Sequence, residues 1–427
     1  MMNRRTFLTT AVAGWAAGAA ATAKAQTSAV EPLRIGLIGC GWYGGVLLEA
    51  AHRVGGAEVV SVCDVDRRHL EQTAAKTAER QNGRAPRTYK SYEDMLAAGG
   101  LDVVFIATPP HWHALQFLAA LEAGLHIYCE KPLAYDIREC QAIVRAAEAR
   151  PQQVVQIGFQ RRQSAALQQV HEFIQQGGLG AVRQIDAQIH YTAGLLDSTP
   201  QDPPAELDWE LWCGPGPKLP YSPQVGHKAW RLEQEVGHGH LVDWGIHLID
   251  AARVLLGAGI PRKVSASGAL VRYGGRITTP DTMSAWFEFG DVPLVWRHRL
   301  WGAQEHDPDT QNGLFIYGDE GTIFVTDQRW VFTPRGKPAE RRITEAKGDL
   351  AREHMNEFLT AVRQRRAAGC PPREGAASTI AVKLAMISLA LGRTVEWDTA
   401  REQAVGEDAV VRMKRDYRAP WRHPWTS

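Results

Sequence analysis

The stretch LRIGLIGCGWYGG, residues 33–45, decides the fold of this 427-residue chain. Its first part, Leu33–Ile38, is a short apolar run that ends at a glycine, which is typical of a buried β-strand. The glycines that follow have the spacing G-x-G-x-x-G, and a helix is predicted from Tyr43 to about Val54. A strand, a glycine-rich turn and a helix in this order predict the first unit of a dinucleotide-binding parallel sheet.

The three glycines of this turn have separate physical roles. Gly39 permits the tight turn after the strand, and Gly44 lets the helix pack closely on the strand. Gly41 lets a pyrophosphate approach the main chain at the positive end of the helix. Trp42 and Tyr43 lie within the same turn, and we predict all five residues as cofactor contacts.

Asp64 ends the next predicted strand, in AEVVSVCDVD, twenty residues after Gly44. Its carboxylate would accept hydrogen bonds from the adenosine ribose and would repel a 2′-phosphate, which favours NAD. Arg67 and Arg68 follow closely, and either could pair with a 2′-phosphate, so NADP stays open. Asp64 and Arg67 are both predicted cofactor contacts.

Strands and helices continue to alternate as far as about residue 150. Leu101–Ala107 and His126–Cys129 have the composition of buried strands, and His113–Ala123 and Ile137–Ala149 that of helices. This alternation predicts an α/β fold, in which residues 32–150 form an N-terminal Rossmann domain with a doubly wound parallel sheet.

From residue 151 the pattern changes to short strand-like runs without crossover helices. Examples are KVSASGALVRY, MSAWFEFG, PLVWRHRLW and GTIFVT. These runs predict a second, α+β domain over residues 151–427, built on an open, mainly antiparallel sheet. Helices within 353–391 lie near the end of this domain and can pack back on the first one.

The first 25 residues have the pattern of an export signal. The pair Arg4-Arg5 precedes x-Phe-Leu and a weakly apolar run, and Ala23-Lys24-Ala25 forms an A-x-A cleavage pattern. This order resembles a twin-arginine signal, followed by a linker at 26–31, and it predicts a periplasmic protein. An uncleaved membrane anchor is the alternative, although no stable membrane insertion is expected after signal removal. The net charge of +1 gives no global field for nucleic acid.

A second set of motifs lies in DVVFIATPPHWHALQFLAALEAGLHIYCEKPLA, residues 102–134. They are Ala107-Thr108-Pro109, His111-Trp112-His113, Gly124-Leu125-His126 and Glu130-Lys131-Pro132. In this order they resemble the Gfo/Idh/MocA oxidoreductase family, the glucose–fructose oxidoreductase and inositol dehydrogenase type. Similar motifs follow at LDWELWCGP (207–215), AWR (229–231), PDT (280–282), YGDEGTIFV (317–325) and YRAPW (417–421), so the resemblance spans nearly all of the chain after the signal.

The resemblance implies three catalytic residues. E-K-P supplies Lys131, and the family's D-x-G-x-H-x-x-D pattern matches DWGIHLID (243–250), which supplies Asp243 and His247. The last two are four residues apart, so in a helix they would lie on one face. His247 would take the hydroxyl proton, since imidazole titrates near neutrality, and Lys131 would polarise the same oxygen. Asp243 would orient the substrate or hold the tautomer of His247, whereas Asp250 is expected to support the helix.

Further contacts are predicted around these three residues. On the cofactor side they are Thr108, Pro109, His113, Glu130 and Lys131. On the substrate side Trp112, Tyr221 and Trp230 offer ring faces to sugar C–H groups, with a place in the core as the alternative for each tryptophan. Arg161 and Arg231 could bond hydroxyls or a carboxylate.

His238 and His240 depart from the family, in which glycines are common near these positions. We predict both as substrate contacts, with supporting structural roles as the alternative. With His247 they could also form a three-histidine Zn²⁺ site, but the spacing H-x-H-x₆-H is unspecific and we predict no metal.

Together these features predict a periplasmic oxidoreductase. It would transfer hydride between a tightly bound NAD and a hydroxyl or carbonyl carbon of a sugar or sugar derivative. Tight binding is expected because free NAD is scarce outside the cytoplasm. One alternative is a glycoside hydrolase that oxidises C3 transiently, eliminates the aglycone and adds water; another is a non-catalytic sensor. The expected partners are a small-molecule sugar and, from the resemblance, further copies of the chain that meet through the open sheet.

Overall fold

A six-stranded parallel sheet is built around the glycine-rich turn. The computed structural model describes residues 31–227, 229–302, 305 and 307–426, so the predicted signal peptide (1–25) and all but the last residue of the linker (26–31) lie outside the described residues. The strands of the sheet are β1 (Leu33–Ile38), β2 (Ala57–Cys63), β3 (Arg87–Tyr89), β4 (Val103–Ile106), β5 (His126–Cys129) and β6 (Val155–Ile157). The helices between them are α1 (Trp42–Val54), α2 (Arg67–Arg80), α3 (Tyr92–Ala97), α4 (Pro110–Glu122) and α5 (Ile137–Glu148).

The strand order is β3-β2-β1-β4-β5-β6, and all neighbouring pairs are parallel. The chain runs outward from β1 in one direction through β2 and in the other through β4. Ligands of doubly wound sheets bind beyond the carboxyl ends of the strands at such a switch point. The predicted Rossmann domain is therefore confirmed.

A ten-stranded sheet dominates the rest of the chain. Its strands are β7 (Val182–His190), β8 (Lys263–Ala269), β9 (Thr282–Phe289), β10 (Val292–Arg299), β11 (Asn312–Gly318), β12 (Gly321–Val325), β13 (Arg329–Pro334), β14 (Arg342–Glu345), β15 (Val395–Asp398) and β16 (Gln403–Ala404). The helices are α6 (Ala165–Gln175), α7 (Trp209–Cys213), α8 (Ile246–Leu256), α9 (Leu350–Gln364), α10 (Pro372–Leu391) and α11 (Glu407–Val411).

The order of this second sheet is β14-β13-β12-β11-β7-β10-β9-β8-β15-β16. Only the pair formed by β7 and β10 is parallel among these described strands, and the other neighbours are antiparallel. The predicted mainly antiparallel second sheet is confirmed.

The two sheets belong to one compact unit from Pro32 onward. β6 joins the parallel sheet, so that sheet continues past the predicted boundary at residue 150. Near the end of the chain α9 packs on the same sheet, where the Phe358 ring lies 6.3 Å from Phe105 and 5.6 Å from Tyr128. The chain thus returns to its first half after β14, before β15 and β16 complete the second sheet.

Helix α10 is long and apolar enough to cross a membrane by length and composition. However, 72% of its apolar window is buried inside the protein. Its Thr379 hydroxyl accepts a hydrogen bond from the main chain of Leu133 at 3.1 Å, and its Ser378 hydroxyl donates to Asp250 at 2.6 Å. This central position in the core explains why α10 is apolar on all of its faces.

Helix α4 begins at Pro110, three residues before the predicted start at His113. Proline is favoured in the first turn of a helix because its missing N–H would lack a helical partner there. The earlier start places the His111-Trp112-His113 motif within the first turn, at the carboxyl edge of the parallel sheet.

Candidate active site

A cavity of about 580 Å³ opens at the carboxyl edge of the parallel sheet. Ligand pockets commonly have volumes of about 300–1,000 Å³. Of the predicted residues its lining includes Gly39, Gly41, Trp42, Tyr43, Asp64, Thr108, Pro109, Trp112, Trp230 and Arg231, and it also includes His69, Lys90, Leu211, Trp212, His227 and Trp421. Most predicted cofactor contacts therefore meet in one cavity.

The three glycines of the turn have the environments that their predicted roles require. Gly39 has φ +97°, and a Cβ there would lie 2.7 Å from the carbonyl carbon of Ala107. A Cβ on Gly44 would overlap the carbonyl oxygen of Gly39. A Cβ on Gly41 would meet nothing within 4 Å, because this position faces the cavity at the start of α1. The open space at a helix N-terminus fits the pyrophosphate of a dinucleotide.

Asp64 lies at the end of β2 with both carboxylate oxygens fixed by the main chain. Oδ2 accepts from Cys40 N at 2.6 Å and Oδ1 from Asp66 N at 2.8 Å. Burial raises the pKa of Asp64, and the two main-chain donors act against this rise. Each oxygen retains a lone pair for a ribose hydroxyl. Arg67 is exposed and outside the cavity lining, so the arrangement favours NAD.

His113 connects the two motifs of the resemblance. Its buried ring has Nδ1 2.8 Å from the carbonyl oxygen of Pro132 and Nε2 2.8 Å from that of Thr108. Burial lowers its pKa to about 4, so the ring is neutral at pH 7. Both nitrogens face protein carbonyls, which makes His113 a positioning residue behind the cavity instead of the direct cofactor contact predicted.

Glu130 is buried behind Lys131. Its Oε2 accepts from the main-chain N–H of Lys131 at 3.2 Å, and the Tyr128 hydroxyl donates to Oε1 at 3.4 Å. Burial raises the pKa of Glu130 to about 7, although the Lys131 ammonium opposes the rise. A Cβ on Gly158 would overlap this carboxyl group, so the glycine makes room for it. Glu130 supports the Lys131 loop from within the protein.

Lys131 and Asp243 form a buried ion pair between the two halves of the chain. Lys131 Nζ donates to Asp243 Oδ1 at 2.9 Å and to its main-chain oxygen at 2.6 Å. The guanidinium of Arg231 lies 3.1 Å from Asp243 Oδ2 and 4.4 Å from the Trp230 ring. Burial acts to raise the pKa of Asp243, but the two cations hold it below its ordinary value. Asp243 is therefore ionised and holds both cations, of which Arg231 lines the cavity, whereas Lys131 and Asp243 lie outside its lining.

Asp243 lies in a π-helical turn, Leu241–Gly245, which continues directly into α8. The regular α-helical relationship predicted between Asp243 and His247 is therefore wrong in detail. Single π-helical turns inside helices occur frequently at functional sites. Here the wider turn accompanies the pairing of Asp243 with Lys131 and Arg231, and neither described hydrogen-bond partner of its carboxylate is His247.

His247 is the second residue of α8, lies beside the ion pair and is buried. Its ring packs edge-on against Phe159 at 6.2 Å, and its Nδ1 is buried without a hydrogen-bond partner among the described residues. Burial lowers its pKa well below 6.5, and the charges of Lys131 and Arg161 lower it further. The imidazole is neutral at pH 7 and able to accept a proton.

Asp250, the last residue of the motif, is paired away from the cavity. Arg162 donates to its two oxygens at 2.9 and 2.7 Å, and Ser378 donates at 2.6 Å. These contacts join α8 to α10 and to the chain that follows β6. They agree with the helix-support role expected for Asp250.

His238 lies behind the cavity instead of in it. Its Nδ1 is 2.7 Å from Lys383 Nζ, and its ring stacks on Tyr135 at 4.7 Å. Its φ is +62°, a conformation that glycine adopts without strain. His238 is partly buried and outside the cavity lining, which favours the structural role, the alternative to a substrate contact.

His240 packs in the second half of the molecule, near the ion pair. Its ring centroid is 4.9 Å from Tyr191 and 5.0 Å from His298, and its Nε2 is buried without a partner among the described residues. His238, His240 and His247 thus have separate neighbours. The three-histidine zinc alternative has no geometric support in this part of the chain.

The predicted substrate residues divide into two groups. Trp112, Trp230 and Arg231 line the cavity. Tyr221 packs edge-on against Trp209 at 5.1 Å and is outside the lining, and Arg161 pairs with Asp327 at 3.1 Å beside a second, smaller cavity. The first three retain their predicted place, whereas Tyr221 lies in a small hydrophobic cluster.

Tyr191 was missed by sequence reasoning. It follows β7, is 37% exposed, and packs on His240. Burial and, to a smaller extent, Asp243 raise its pKa to about 12, against the opposing charge of Arg231, so the phenol lies near this ion pair. No local motif marks it, because its position depends on the second sheet. Tyr191 is an additional candidate for substrate contact.

The parallel sheet and the cavity at its carboxyl edge place this chain in the class of Rossmann-type, dinucleotide-binding oxidoreductases. Residues 33–159 match the NAD-binding Rossmann fold of the Gfo/Idh/MocA oxidoreductase family, and residues 181–426 match its C-terminal α/β domain. The chain belongs to this family. The predicted oxidoreductase family and NAD as cofactor are therefore confirmed.

Two relatives are similar over about a third of the chain. Inositol 2-dehydrogenase 3 of Saccharopolyspora erythraea is 37% identical over 149 residues, 35% of this chain and 42% of that protein. A glycosyl hydrolase family 109 protein of a Shewanella species is 34% identical over 123 residues, 28% of this chain and 27% of that protein. The chain thus spans less than half the length of each of these relatives.

Solved structures share the whole fold at low identity. An Agrobacterium radiobacter oxidoreductase in complex with NAD⁺, L-tartaric acid and magnesium has a TM-score of 0.67 at 19% identity, covering 85% of this chain and 98% of that one. Aldose-aldose oxidoreductase from Caulobacter crescentus has a TM-score of 0.67 at 18% identity, covering 86% and 99%. These likenesses concern the fold.

Proposed function

We propose that this protein transfers hydride between bound NAD and a hydroxyl-bearing carbon of a sugar or cyclic polyol. The observation that carries the proposal is the Lys131–Asp243 ion pair, which is held beside Arg231, a residue of the cavity lining. A cavity for NAD alone would not require a fixed ammonium next to a neutral imidazole. The relatives that are inositol 2-dehydrogenases support a polyhydroxylated substrate.

NAD, when bound, supplies the hydride acceptor. Gly41 and Asp64 would hold its pyrophosphate and adenosine ribose. Lys131 has three N–H donors, of which two are used by Asp243, so the third can bond the substrate oxygen. Its positive charge then stabilises the oxygen as the hydroxyl proton leaves. Neutral His247 accepts that proton, and returns it when the reaction runs towards the alcohol.

Single-turnover measurements test this proposal. The purified protein, with its own nucleotide, is mixed with cyclic polyols and aldoses while the absorbance of reduced nicotinamide is followed. We expect Lys131→Met and His247→Asn to slow reduction by about a hundredfold or more. Nucleotide content should be preserved in both; thermal unfolding should be preserved in His247→Asn, whereas Lys131→Met, which takes one of two cations from the buried Asp243, should lower the unfolding temperature. Lys218→Met on the surface is the control. Reduction at the parent rate in either variant would reject the assigned acid–base roles.

We also propose that the protein works in the periplasm with NAD retained through each turnover. The Arg4-Arg5 pair and the A-x-A pattern at 23–25 support export. Retention would allow one sugar to be oxidised and another carbonyl reduced by the same nicotinamide. Cell fractionation tests the location: replacing both arginines by lysine should leave the protein in the cytoplasm, and unchanged export would contradict a twin-arginine route.

A homo-oligomer is proposed through the ten-stranded sheet. Trp286 on β9 is 41% exposed and gives this sheet an apolar side chain that a second copy of the chain would cover. Light scattering of the parent and of Trp286→Lys measures the mass directly. A dimer or tetramer that dissociates in the variant supports the proposal, and a parent monomer would refute it.

Glycoside hydrolysis through transient oxidation is the second candidate. The 34% identity with a glycosyl hydrolase family 109 protein favours it, over 123 residues. In this scheme a C3 ketone acidifies the C2 proton, elimination releases the aglycone, water adds, and the ketone is reduced again. Aryl glycosides without added cofactor separate the two candidates. Aglycone release with no net redox change would support hydrolysis, and net reduction of bound NAD by free aldoses would support the first candidate.

A further inference from the structure

Residues 204–227, which we call the roof segment, connect the second half of the chain to the edge of the cofactor cavity. Leu211, Trp212 and His227 of this segment line the cavity. They come from outside the Rossmann domain, yet they face the same space as Gly41 and Asp64. The roof segment therefore covers the place where the nucleotide would lie.

The first part of the roof segment is joined to the loop between β2 and α2. Arg67 N donates to Glu206 O at 3.0 Å, and Asp208 N donates to Val65 O at 3.0 Å. The side chain of Asp208 also pairs with Lys90 at 2.5 Å. This attachment therefore consists of two main-chain hydrogen bonds and one ion pair, and the main-chain bonds do not depend on side-chain identity.

The middle of the roof segment rests on the start of α4. The Trp112 indole N–H donates to Leu211 O at 2.9 Å, and His111 Nε2 lies 2.8 Å from Trp212 O. Both donors are buried, and both carbonyls belong to the short helix α7. The roof segment thus spans from the β2–α2 loop to α4, across the switch point of the parallel sheet.

The far end of the roof segment returns to the same β2–α2 loop through His227. His227 Nε2 donates to Asp66 Oδ2 at 2.7 Å, and its ring lies 4.4 Å from the ring of His69. Asp66 is fixed, because its other oxygen caps α2 by accepting from Arg68 N and His69 N. In contrast to the first attachment, this one rests on a single side-chain hydrogen bond.

From this geometry we infer that His227 is a cofactor-retaining residue, which closes the roof segment over the adenosine end of NAD. The inference rests on one part of the proposed function, namely that NAD occupies the cavity. Asp64, which would hold the adenosine ribose, and Asp66, which holds His227, are two residues apart on the same loop. A nucleotide leaving past Asp64 must therefore separate His227 from Asp66, and so release is slowed.

The dissociation rate of NADH tests the inference. Trp112, Trp212 and Trp230 line the cavity, so energy transfer from tryptophan to bound NADH reports its loss during a chase with excess NAD⁺. We expect His227→Ala to release NADH about tenfold faster, the factor that corresponds to about 1.4 kcal/mol. His227→Gln, which keeps an N–H donor for Asp66, should restore most of the slow rate. Lys218→Ala, an exposed position on the same roof segment, should not change it.

Hydrogen exchange of the unmodified chain provides a measurement that needs no variant. With NAD bound, the amides of residues 213–227 should exchange more slowly than without it. Equal NADH release from the parent and His227→Ala, or equal exchange with and without NAD, would overturn the inference while leaving the cofactor site intact. A protein that binds no NAD would overturn both the inference and the proposed function.

Discussion

Gly41 allows the cofactor site to be tested separately from the fold. Its φ is −69°, which alanine adopts readily, and an added Cβ would meet nothing within 4 Å. Alanine is a poorer helix N-cap than glycine, but it also reduces the entropy of the unfolded chain, and the two effects have opposite signs. The free energy of unfolding of Gly41→Ala without NAD should therefore stay within about 1 kcal/mol of the parent value.

Gly41→Ala should weaken the binding of NAD, although it changes stability little. A methyl group at Gly41 would stand where the main chain must approach the pyrophosphate. Forcing an extra methyl into close packing costs about 1–3 kcal/mol, which corresponds to roughly a tenfold to hundredfold weaker affinity for NAD. Titration of nucleotide-free protein with NADH, followed by fluorescence, measures the dissociation constant directly.

Two neighbouring glycines supply matched controls. Gly45 is exposed in α1 with nothing within 4 Å of a Cβ, so Gly45→Ala should leave NADH affinity unchanged and raise stability by about 0.4–1 kcal/mol. A Cβ on Gly44 would overlap the Gly39 carbonyl, so Gly44→Ala should lose stability as well as affinity. Parent-like NADH affinity in Gly41→Ala, or a loss of stability equal to that of Gly44→Ala, would refute the reasoning.

Three further predictions concern the charges and the buried rings. Asp243→Asn should slow hydride transfer by about a hundredfold with little change in NAD affinity, since its two cations lose their position; single-turnover kinetics measure this. Asp250→Asn removes the carboxylate that pairs through both oxygens with the buried Arg162 guanidinium, leaving it Glu374 Oε2 at 3.4 Å, and should lower the free energy of unfolding by about 3 kcal/mol in urea titrations. The pKa values of His111 and His113 are lowered by burial to about 3 and about 4, so the unfolded chain binds more protons below pH 6.5. The contribution of these two rings should therefore be complete above pH 6.5 and fall on acidification by about 1.4 kcal/mol per pH unit for each ring, whereas Glu130, with a pKa raised to about 7, has the opposite slope. In thermal unfolding, His113→Gln should lose less stability between pH 6.5 and about 5 than the parent does, and an equal loss in both would contradict this.

Local sequence was sufficient for the features that depend on the main chain. The positive φ of Gly39, the open space at Gly41 and the close packing at Gly44 follow from residues within one strand–turn–helix unit. The alternation of strands and helices determined the parallel sheet in the same way, because periodicity reflects which face is buried. Asp64 at the end of β2 belongs to this group.

The arrangement of side chains at the candidate active site depended on the tertiary structure. Lys131 and Asp243 are 112 residues apart, and the resemblance named both without showing that they pair with each other. Sequence spacing also placed Asp243 one regular turn from His247, whereas a π-helical turn directs its carboxylate to Lys131 and Arg231. Which groups meet is decided by the packing of one half of the chain on the other.

The stretch GHGHLVDWGIHLID, residues 237–250, shows most clearly which properties the sequence determines and which the tertiary structure decides. Its sequence determined the residue types available for acid–base chemistry and metal binding. In the folded protein His238 contacts Lys383, His240 packs against Tyr191, and His247 is neutral beside the ion pair. Local sequence fixes main-chain conformation through short-range sterics and hydrogen bonds, but a side chain acquires its charge state and partners only when distant segments bury it.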